Sequence, residues 1–241
     1  MQVEINVLDN NDNPPQFGAV NASYSVTARE DVPPGTVLLT LSASDADLGA
    51  NGQVRFSFAE RSSRDLATRF EVRPTGEIVT VGALDHETQP LHRLYVVAAD
   101  KPEVEEPLSS IATVEVHVLD VNDHAPRIRV NAPDADATGT GNGNTTLWVE
   151  RGAPSGTFVG HVTVDDADSE ENGRFRCRLS GPYGTRFQLH RMYRTEFKIV
   201  TAATYDRHVY DDVVEFSIVC RDDGVPSLTS ALPVCIFRPV V

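Results

Sequence analysis

Asp120-Val-Asn-Asp-His-Ala-Pro126 lies midway along the 241-residue chain and is dense in side-chain oxygens. A near copy, Asp9-Asn-Asn-Asp-Asn-Pro-Pro15, lies close to the amino terminus. Hard cations such as Ca²⁺ take about 6–8 oxygen ligands, so oxygens at this density suit such an ion. The closing proline removes a backbone donor and favours an extended residue before it. The stretch therefore predicts an extended, cation-binding joint between two domains.

Short runs in which apolar and polar residues alternate lie on both sides of this joint. Examples in the first half are Val54-Arg-Phe-Ser-Phe58, Ile78-Val-Thr-Val81 and Val114-Glu-Val-His-Val118. Turn signals such as Pro33-Pro-Gly35 and Pro74-Thr-Gly76 separate the runs. Several short alternating strands with frequent turns predict an all-β fold, either an antiparallel sandwich or a barrel.

The second half of the chain repeats the first. Asp45-Ala-Asp47 with Asn51-Gly52 recurs as Asp166-Ala-Asp168 with Asn172-Gly173, an offset of 121 residues. A repeat of this length is a whole domain. We therefore expect domains at 16–123, which includes the start of a linker at 120–126, and at 124–241. Residues 1–15 are expected to be the last strand and linker of a preceding domain, so Met1 is expected to lie inside a larger protein.

Composition narrows the function. The net charge of −14 disfavours nucleic acid as a partner and suits a protein that holds divalent cations. About 40% of the residues are apolar, which is enough for packed cores, and no stretch is long enough to cross a bilayer. Asn21-Ala-Ser23 and Asn144-Thr-Thr146 match the glycosylation acceptor pattern of secreted proteins.

The cysteines and the single tryptophan are interpreted as structural. Cys177 and Cys220 alternate with apolar residues and should face the core, either bridged or as two buried thiols. Cys235 alternates with Val234 and Ile236 and is expected to point outward. Trp148 is expected to pack the first strand of the second domain.

No residue set in the sequence predicts catalysis, so we expect no enzyme. No nucleophile with a base and no phosphate-cradling glycine loop is evident. The three cysteines lack zinc-ligand spacing. An EF-hand is excluded because Phe56 stands where the closing glutamate of a loop beginning at Asp45 would lie.

The acidic motifs, taken in order, resemble extracellular cadherin repeats of the non-classical protocadherin or Fat/Dachsous kind. The first half carries Glu30, Asp45-Ala-Asp47, Asp85-His-Glu87, Asp100 and Asp120-Val-Asn-Asp-His124; the second half carries Glu150, Asp166-Ala-Asp168, Asp206-Arg-His208 and Asp222. The resemblance implies tandem seven-stranded Greek-key β-sandwiches joined end to end by a calcium-binding linker.

The resemblance also implies the ligands of about three Ca²⁺ ions at the central joint. They would be Glu30, Asp85 and Glu87 from the first domain, Asp120, Asn122, Asp123 and the carbonyl of His124 from the linker, and Asp166, Asp168, Asp222 and the carbonyl of Asn172 from the second domain. The family usually has Asn at the position of His124. The rival interpretation is that these carboxylates are scattered surface groups.

A partial site is expected at the amino-terminal linker, formed by Asn11, Asp12, Asn13, Asp45, Asp47, Asn51 and Asp100. At the opposite end, His208 replaces the usual glutamate, so a further joint there is expected to hold less calcium.

The function implied is calcium-dependent adhesion between cells. Calcium would stiffen the joint, and the ectodomain would bind the same or a related cadherin. The parent protein would be a single-pass receptor, with this soluble fragment on the extracellular face of the plasma membrane. One alternative is a force-bearing spacer without partner contacts, and another is a non-catalytic module of a secreted carbohydrate-active enzyme.

Overall fold

The structure, a computed structural model, describes residues 3, 9–60, 62, 65–102, 106–131, 145–150, 152–205 and 213–237. The chain divides into two compact units, Met1–Val121 and Asn122–Val241. This division falls within the predicted linker at 120–126. The strand expected within residues 1–8 lies, except for Val3, outside the described residues.

The first unit is built almost entirely of strands. They are β1 (Gln16–Phe17), β2 (Ser23–Arg29), β3 (Val37–Thr40), β4 (Ala43–Ser44), β5 (Arg55–Phe58), β6 (Phe70–Val72), β7 (Glu77–Thr80), β8 (Leu91–Ala99) and β9 (Ser109–Leu119). One short helix, α1 (Leu66–Arg69), and a 3-10 turn at Val20–Ala22 interrupt them. The strands contain the alternating runs predicted from the sequence.

The sheets of the first unit enclose its core. One has the order β2-β9-β8-β5, a second has the order β3-β7-β6, and β1 pairs with β4. Successive side chains of a strand point to opposite faces, and in β9 Val114, Val116 and Val118 are buried as this period requires. They pack with Leu94 and Ile78 into a single apolar cluster.

The second unit repeats this architecture. Its strands are β10 (Arg127–Asn131), β11 (Thr145–Trp148), β12 (Phe158–Asp165), β13 (Phe175–Ser180), β14 (Phe187–Arg191), β15 (Glu196–Thr201), β16 (Val213–Asp222) and β17 (Thr229–Phe237), with a 3-10 turn at Gly184–Arg186. They form two sheets of orders β10-β12-β15-β14 and β11-β17-β16-β13. The core between them contains Val162, Phe197, Ile218 and Ile236.

Each unit is a seven-stranded sandwich in which some strands are divided into two segments, each pair of segments counting as a single strand. In the second unit β10 and β11 are the two halves of the first strand, since β10 pairs with β12 in one sheet and β11 pairs with β17 in the other. In the first unit β1 and β2 share the first strand in the same way, and β3 and β4 share the second. The tandem sandwich fold predicted from the sequence is confirmed.

The three cysteines all lie on strands of the second unit. Cys177 and Cys220 lie opposite each other on β13 and β16 and form a disulfide, so the bridged alternative holds. Cys235 lies outside the core cluster and opposite the exposed Glu215, so it points outward as expected, but it is buried and forms no disulfide with a described cysteine. Its strand β17 lies between β11 and β16, and its Sγ lies 3.7 Å from Oε1 of Glu215 on the neighbouring strand. Flanking strands on both sides cover the thiol.

Trp148 packs on the outside of its sandwich. Its ring lies 5.7 Å from that of Phe237, and 53% of the residue stays exposed. The tryptophan therefore covers the paired ends of β11 and β17 and does not enter the core.

Candidate metal centres

The carboxylates at the end of the first unit are brought together by strand pairing. β2 and β9 run parallel, with Arg29 opposite Leu119, so the residues that follow them leave the sheet side by side. These residues are Glu30 and Asp120, and Glu87 joins them from the segment before β8. Carboxylate oxygens of Glu30, Glu87 and Asp120 lie within 4.8 Å of one another.

This cluster holds unbalanced negative charge. Burial, together with the nearby carboxylates of Glu30 and Asp120, raises the pKa of Glu87 to about 7. Among the described residues, Oε1 of Glu87 is buried without a hydrogen-bond donor. A hard cation would both neutralise the cluster and satisfy this oxygen.

Backbone amides fix the orientation of Glu30. Its Oε1 accepts a hydrogen bond of 2.6 Å from the amide of Val121, and its Oε2 accepts one of 2.8 Å from the amide of His86. The carboxylate is therefore already turned toward the linker. Asp85 is placed differently, because its two oxygens accept bonds from the amide and hydroxyl of Thr88.

A second set lies at the beginning of the first unit. The side-chain amide of Asn13 donates to Oδ1 of Asp47 at 2.6 Å and to Oδ1 of Asp12 at 2.8 Å. Asp47 is held in turn by a 3.0 Å bond from its amide to Oδ1 of Asp45. The Asp-x-Asp motif is thus a compact local turn, and the carboxylate of Asp47 contacts Asn13 in the linker.

The remaining members of this set are also engaged. Asp100 is buried and fixed by the amide of Leu108 at 2.9 Å, and Asn11 donates to the carbonyl of Glu106 at 3.2 Å. Asn51 donates to Oδ2 of Asp9 at 3.0 Å. The sequence did not predict Asp9 as a ligand, although Asp9 begins the near copy of the motif that begins with Asp120, a predicted ligand. In the described chain, the Oδ2 atoms of Asp45 and Asp100 are buried without donors, as at an ion site.

The second unit begins with a corresponding set. Asn122 donates to Oδ1 of Asp222 at 3.1 Å and to the carbonyl of Pro226 at 2.6 Å, and its own Oδ1 is buried without a donor from any described residue. The amides of Gly224 and Leu228 hold the carboxylate of Asp222 at 3.1 and 3.0 Å. An amide oxygen fixed and left bare in this way is suited to coordinate a cation.

Asp166 and Asp168 complete this set. The amide of Asp168 donates to Oδ1 of Asp166 at 3.2 Å, which repeats the turn formed by Asp45 and Asp47. Burial raises the pKa of Asp166 to about 6, and the carboxylates of Asp168 and Asp222 act in the same direction. The electrostatics therefore again favour a bound cation.

His124 uses its side chain, which the sequence did not predict. The imidazole Nδ1 lies 3.0 Å from Oδ1 of Asp168 and 2.6 Å from Oδ1 of Asp123. Burial opposes protonation of the ring, but the two carboxylates outweigh it and raise the pKa of His124. The predicted ligand roles of the carbonyls of His124 and Asn172 remain predictions.

Three glycines support these sets, a role that the sequence did not predict. A Cβ on Gly52 would collide with the carbonyl oxygen of Asp47, and one on Gly173 with that of Asp168. A Cβ on Gly224 would collide with the side-chain amide of Asn122. The recurrence of Gly52 as Gly173 at an offset of 121 was the available signal.

Some predicted positions lie outside the described residues. They are Asp206 and His208 of the second repeat and the acceptor Asn144. Asn21 is described and is exposed in the turn before β2.

Tandem Greek-key sandwiches with oxygen-rich sets at their ends are typical of repeat proteins that bind calcium between successive β-sandwich domains. Comparison with known families agrees, since the cadherin domain matches residues 24–119 and 145–237. The chain belongs to the cadherin family.

Individual relatives lie among the protocadherins. The chain is 36% identical to human protocadherin-10 over 228 residues, which cover 94% of this chain and 20% of that protein. It is 37% identical to human protocadherin alpha-1 over 229 residues, 95% of this chain and 22% of that protein. The chain thus spans about a fifth of the length of these relatives.

Solved structures show the same likeness. The protocadherin Gamma B2 extracellular cadherin domains 1–5 match with a TM-score of 0.81 at 31% identity, over 97% of this chain and 40% of that one. The protocadherin Gamma B7 extracellular cadherin domains 1–4 match with a TM-score of 0.80 at 32% identity, over 95% and 51%. Within the described ranges, no helix is long and apolar enough to span a membrane.

Proposed function

We propose that this chain is an ectodomain segment of a calcium-dependent cell–cell adhesion receptor. Two cadherin repeats and protocadherin relatives support this function. The partner would be the same or a related cadherin ectodomain. The segment would lie on the extracellular face of the plasma membrane, within a parent protein anchored by a single membrane span.

Calcium would be held by the oxygen-rich sets, which the segment 120–126 connects along the chain. About three ions would use Glu30, Asp85, Glu87, Asp120, Asn122, Asp123, Asp166, Asp168 and Asp222, with the carbonyls of His124 and Asn172. A partial site would use Asn11, Asp12, Asn13, Asp45, Asp47, Asn51 and Asp100. The bound ions would neutralise these carboxylates and fix the linker.

The cluster of Glu30, Glu87 and Asp120 carries this proposal. Three carboxylates with oxygens within 4.8 Å of one another repel each other in water unless a proton or a cation intervenes. Burial is the main cause of the raised pKa of Glu87, about 7, and repulsion by Glu30 and Asp120 adds to it. A cluster of this kind at the predicted linker, made only of hard oxygen ligands, fits Ca²⁺ better than a softer metal.

Thermal unfolding in excess calcium and in chelator tests the calcium part. Ions that bind only the folded state stabilise it by about 2.7 kcal/mol when their concentration is about 100-fold above Kd. We expect calcium to raise the Tm of the wild-type chain by several degrees and Glu87→Gln to reduce that rise. Glu71→Gln, which alters an exposed glutamate on β6, should retain it. An equal rise in both variants would contradict the assignment.

Adhesion is tested separately with beads coated with the chain. Calcium should aggregate wild-type beads, chelator should disperse them, and beads carrying Glu87→Gln should need more calcium. If calcium raises the Tm but the beads stay dispersed, the ion sites hold and the spacer function replaces adhesion for this segment.

A further inference from the structure

Positive charge is unevenly distributed along this acidic chain. The sequence has 21 lysines and arginines, and 13 of them lie in residues 122–241. Three of these, Arg176 and Arg178 on β13 and Arg221 on β16, stand on one face of one sheet. Alternation places the three arginines on the outer face of the sheet, because their neighbours Phe175, Cys177, Leu179 and Cys220 pack against the core.

The register places these arginines close together. Arg176 lies directly opposite Arg221, and Arg178 lies opposite Val219 two pairs further along. Like charges opposite each other across two strands are destabilising, so an anion at this position would relieve their repulsion. The disulfide between Cys177 and Cys220 links the same two strands and fixes the spacing of the arginines that flank it.

Partners within the unit neutralise only part of this charge. Nη2 of Arg176 lies 3.4 Å from Oδ2 of Asp223, and Arg221 donates to the hydroxyl of Ser227. Arg178 is exposed, and its side chain has no ion pair or hydrogen bond with any described residue. The carboxylate of Asp222 is 2% exposed and already accepts bonds from the amides of Gly224 and Leu228.

The arginines also line a cavity. A cleft of about 330 Å³ is bounded by Arg176, Cys177, Arg178, Val219, Arg221 and Thr229. Among the described residues that line it are three cationic side chains and the Thr229 hydroxyl, and no acidic side chain. An adjoining cleft of about 420 Å³ shares Arg176 and Arg221 and adds Ser227 together with the acidic residues Asp222 and Asp223, so the positive charge is concentrated in the first cleft. We call the first of these the arginine cleft.

We infer that the arginine cleft binds sulfate groups of a sulfated glycosaminoglycan. Planar guanidinium groups donate paired hydrogen bonds to tetrahedral oxyanions, and an exposed arginine without a partner loses little on binding one. The disulfide indicates an oxidising compartment outside the cell, where the anion would be a sulfate ester of a polysaccharide. Because the whole chain is negative, only such a concentrated basic surface would retain a polyanion.

The test measures binding of the full chain to immobilised heparin, a sulfated polysaccharide, as salt is raised. Wild type should bind at low salt and elute as salt screens the contacts. Arg178→Ser should weaken binding about tenfold, and Arg176→Ser with Arg178→Ser should weaken it further. Arg178→Lys keeps the charge and loses the paired N–H donors of the guanidinium, so its affinity for heparin should lie between those of the wild type and Arg178→Ser.

The control is Arg194→Ser, which removes one exposed positive charge near the β14–β15 turn, in the other sheet. It should stay within about twofold of wild type, because charges remote from the cleft add little once screened. Equal losses in Arg194→Ser and Arg178→Ser would overturn the assignment, as would a wild type that fails to bind heparin at low salt. Circular dichroism would confirm that each variant is folded.

Hyaluronan, which carries carboxylates and no sulfate, separates the anion classes. Binding to heparin without binding to hyaluronan is the expected result. Equal binding to both would overturn the choice of sulfate, because carboxylates alone would then be sufficient for binding.

Discussion

The imidazole Nδ1 of His124 lies 3.0 Å from Oδ1 of Asp168, and the amide of His124 lies 3.2 Å from Oδ2 of the same carboxylate. One residue thus engages both oxygens of a buried aspartate that we propose as a calcium ligand. The backbone bond is open to any residue at this position, but the ring contact is specific to histidine. It competes with an ion for the same oxygen.

We expect His124→Asn to raise the calcium affinity of the chain by about three- to tenfold. In the wild type, calcium must displace the hydrogen bond between the imidazole and the charged carboxylate of Asp168, which costs free energy. The variant lacks this hydrogen bond, so calcium binds without that cost. Isothermal titration calorimetry with calcium measures the change. His190→Asn, which alters an exposed ring bonded to Gln188, is the matched control and should not change the affinity. A lower affinity in His124→Asn would mean that the ring supports the ion.

Gly224 should be required for the placement of Asn122, which we propose as a calcium ligand. A Cβ at this position would collide with the side-chain amide that holds Asp222 and the carbonyl of Pro226. We expect Gly224→Ala to lower the free energy of unfolding by about 1–3 kcal/mol and to weaken calcium binding, as overpacking does. Gly18→Ala, where a Cβ meets no atom within 4 Å, should leave both unchanged. Urea unfolding in calcium and in chelator measures both effects.

The strands and the main acidic residues could be predicted because their signals are local or recur. Burial in β9 follows a period of two residues, which the sequence displays directly. Glu30 and Asp120 each follow a strand, and the order of the acidic motifs, which resembles that of cadherin repeats, implied that they share a site. In both cases the sequence itself carries the information.

The remaining features depend on contacts between distant residues. Cys235 alternates as expected, but its burial depends on β11 pairing alongside β17, which a pattern within β17 cannot show. The ring of His124 contacts Asp168, a residue 44 positions away. This contact depends on the side-chain rotamer of His124, which a pattern in the sequence does not determine. Gly224 is constrained by Asn122, and only the folded chain brings the two together.

The disulfide should contribute substantially to the stability of the second unit. It closes a loop of 43 residues, and restricting the unfolded chain in this way is worth about 2–4 kcal/mol. We expect Cys177→Ala with Cys220→Ala to lower the free energy of unfolding by that amount in urea. Thiol labelling of the denatured wild-type chain should find one reactive cysteine, Cys235. Three reactive thiols would contradict the bridge.

His92 gives the first unit a sensitivity to acid. The residue is 0% exposed, lies opposite Val116 and contacts the ring of Phe70 edge-on, and neither ring nitrogen has a hydrogen-bond partner among the described residues. Burial lowers the pKa of His92. The nearby guanidinium of Arg69 lowers it further, while Asp65, which is paired with Arg69, opposes this. The folded unit therefore keeps the imidazole neutral.

The sign of the pH dependence follows from this lowered pKa. The unfolded chain takes up a proton on His92 below about pH 6.5, whereas the folded chain does not, so the free energy of unfolding falls as the pH drops through that value. The loss approaches about 1.4 kcal/mol per pH unit until the folded pKa is reached. We expect His92→Leu to remove this slope, measured by urea unfolding in excess calcium so that the acidic sets remain neutralised. His117→Gln, on a partly exposed histidine of β9, should retain it. An unchanged slope in His92→Leu would show that the acid sensitivity arises elsewhere.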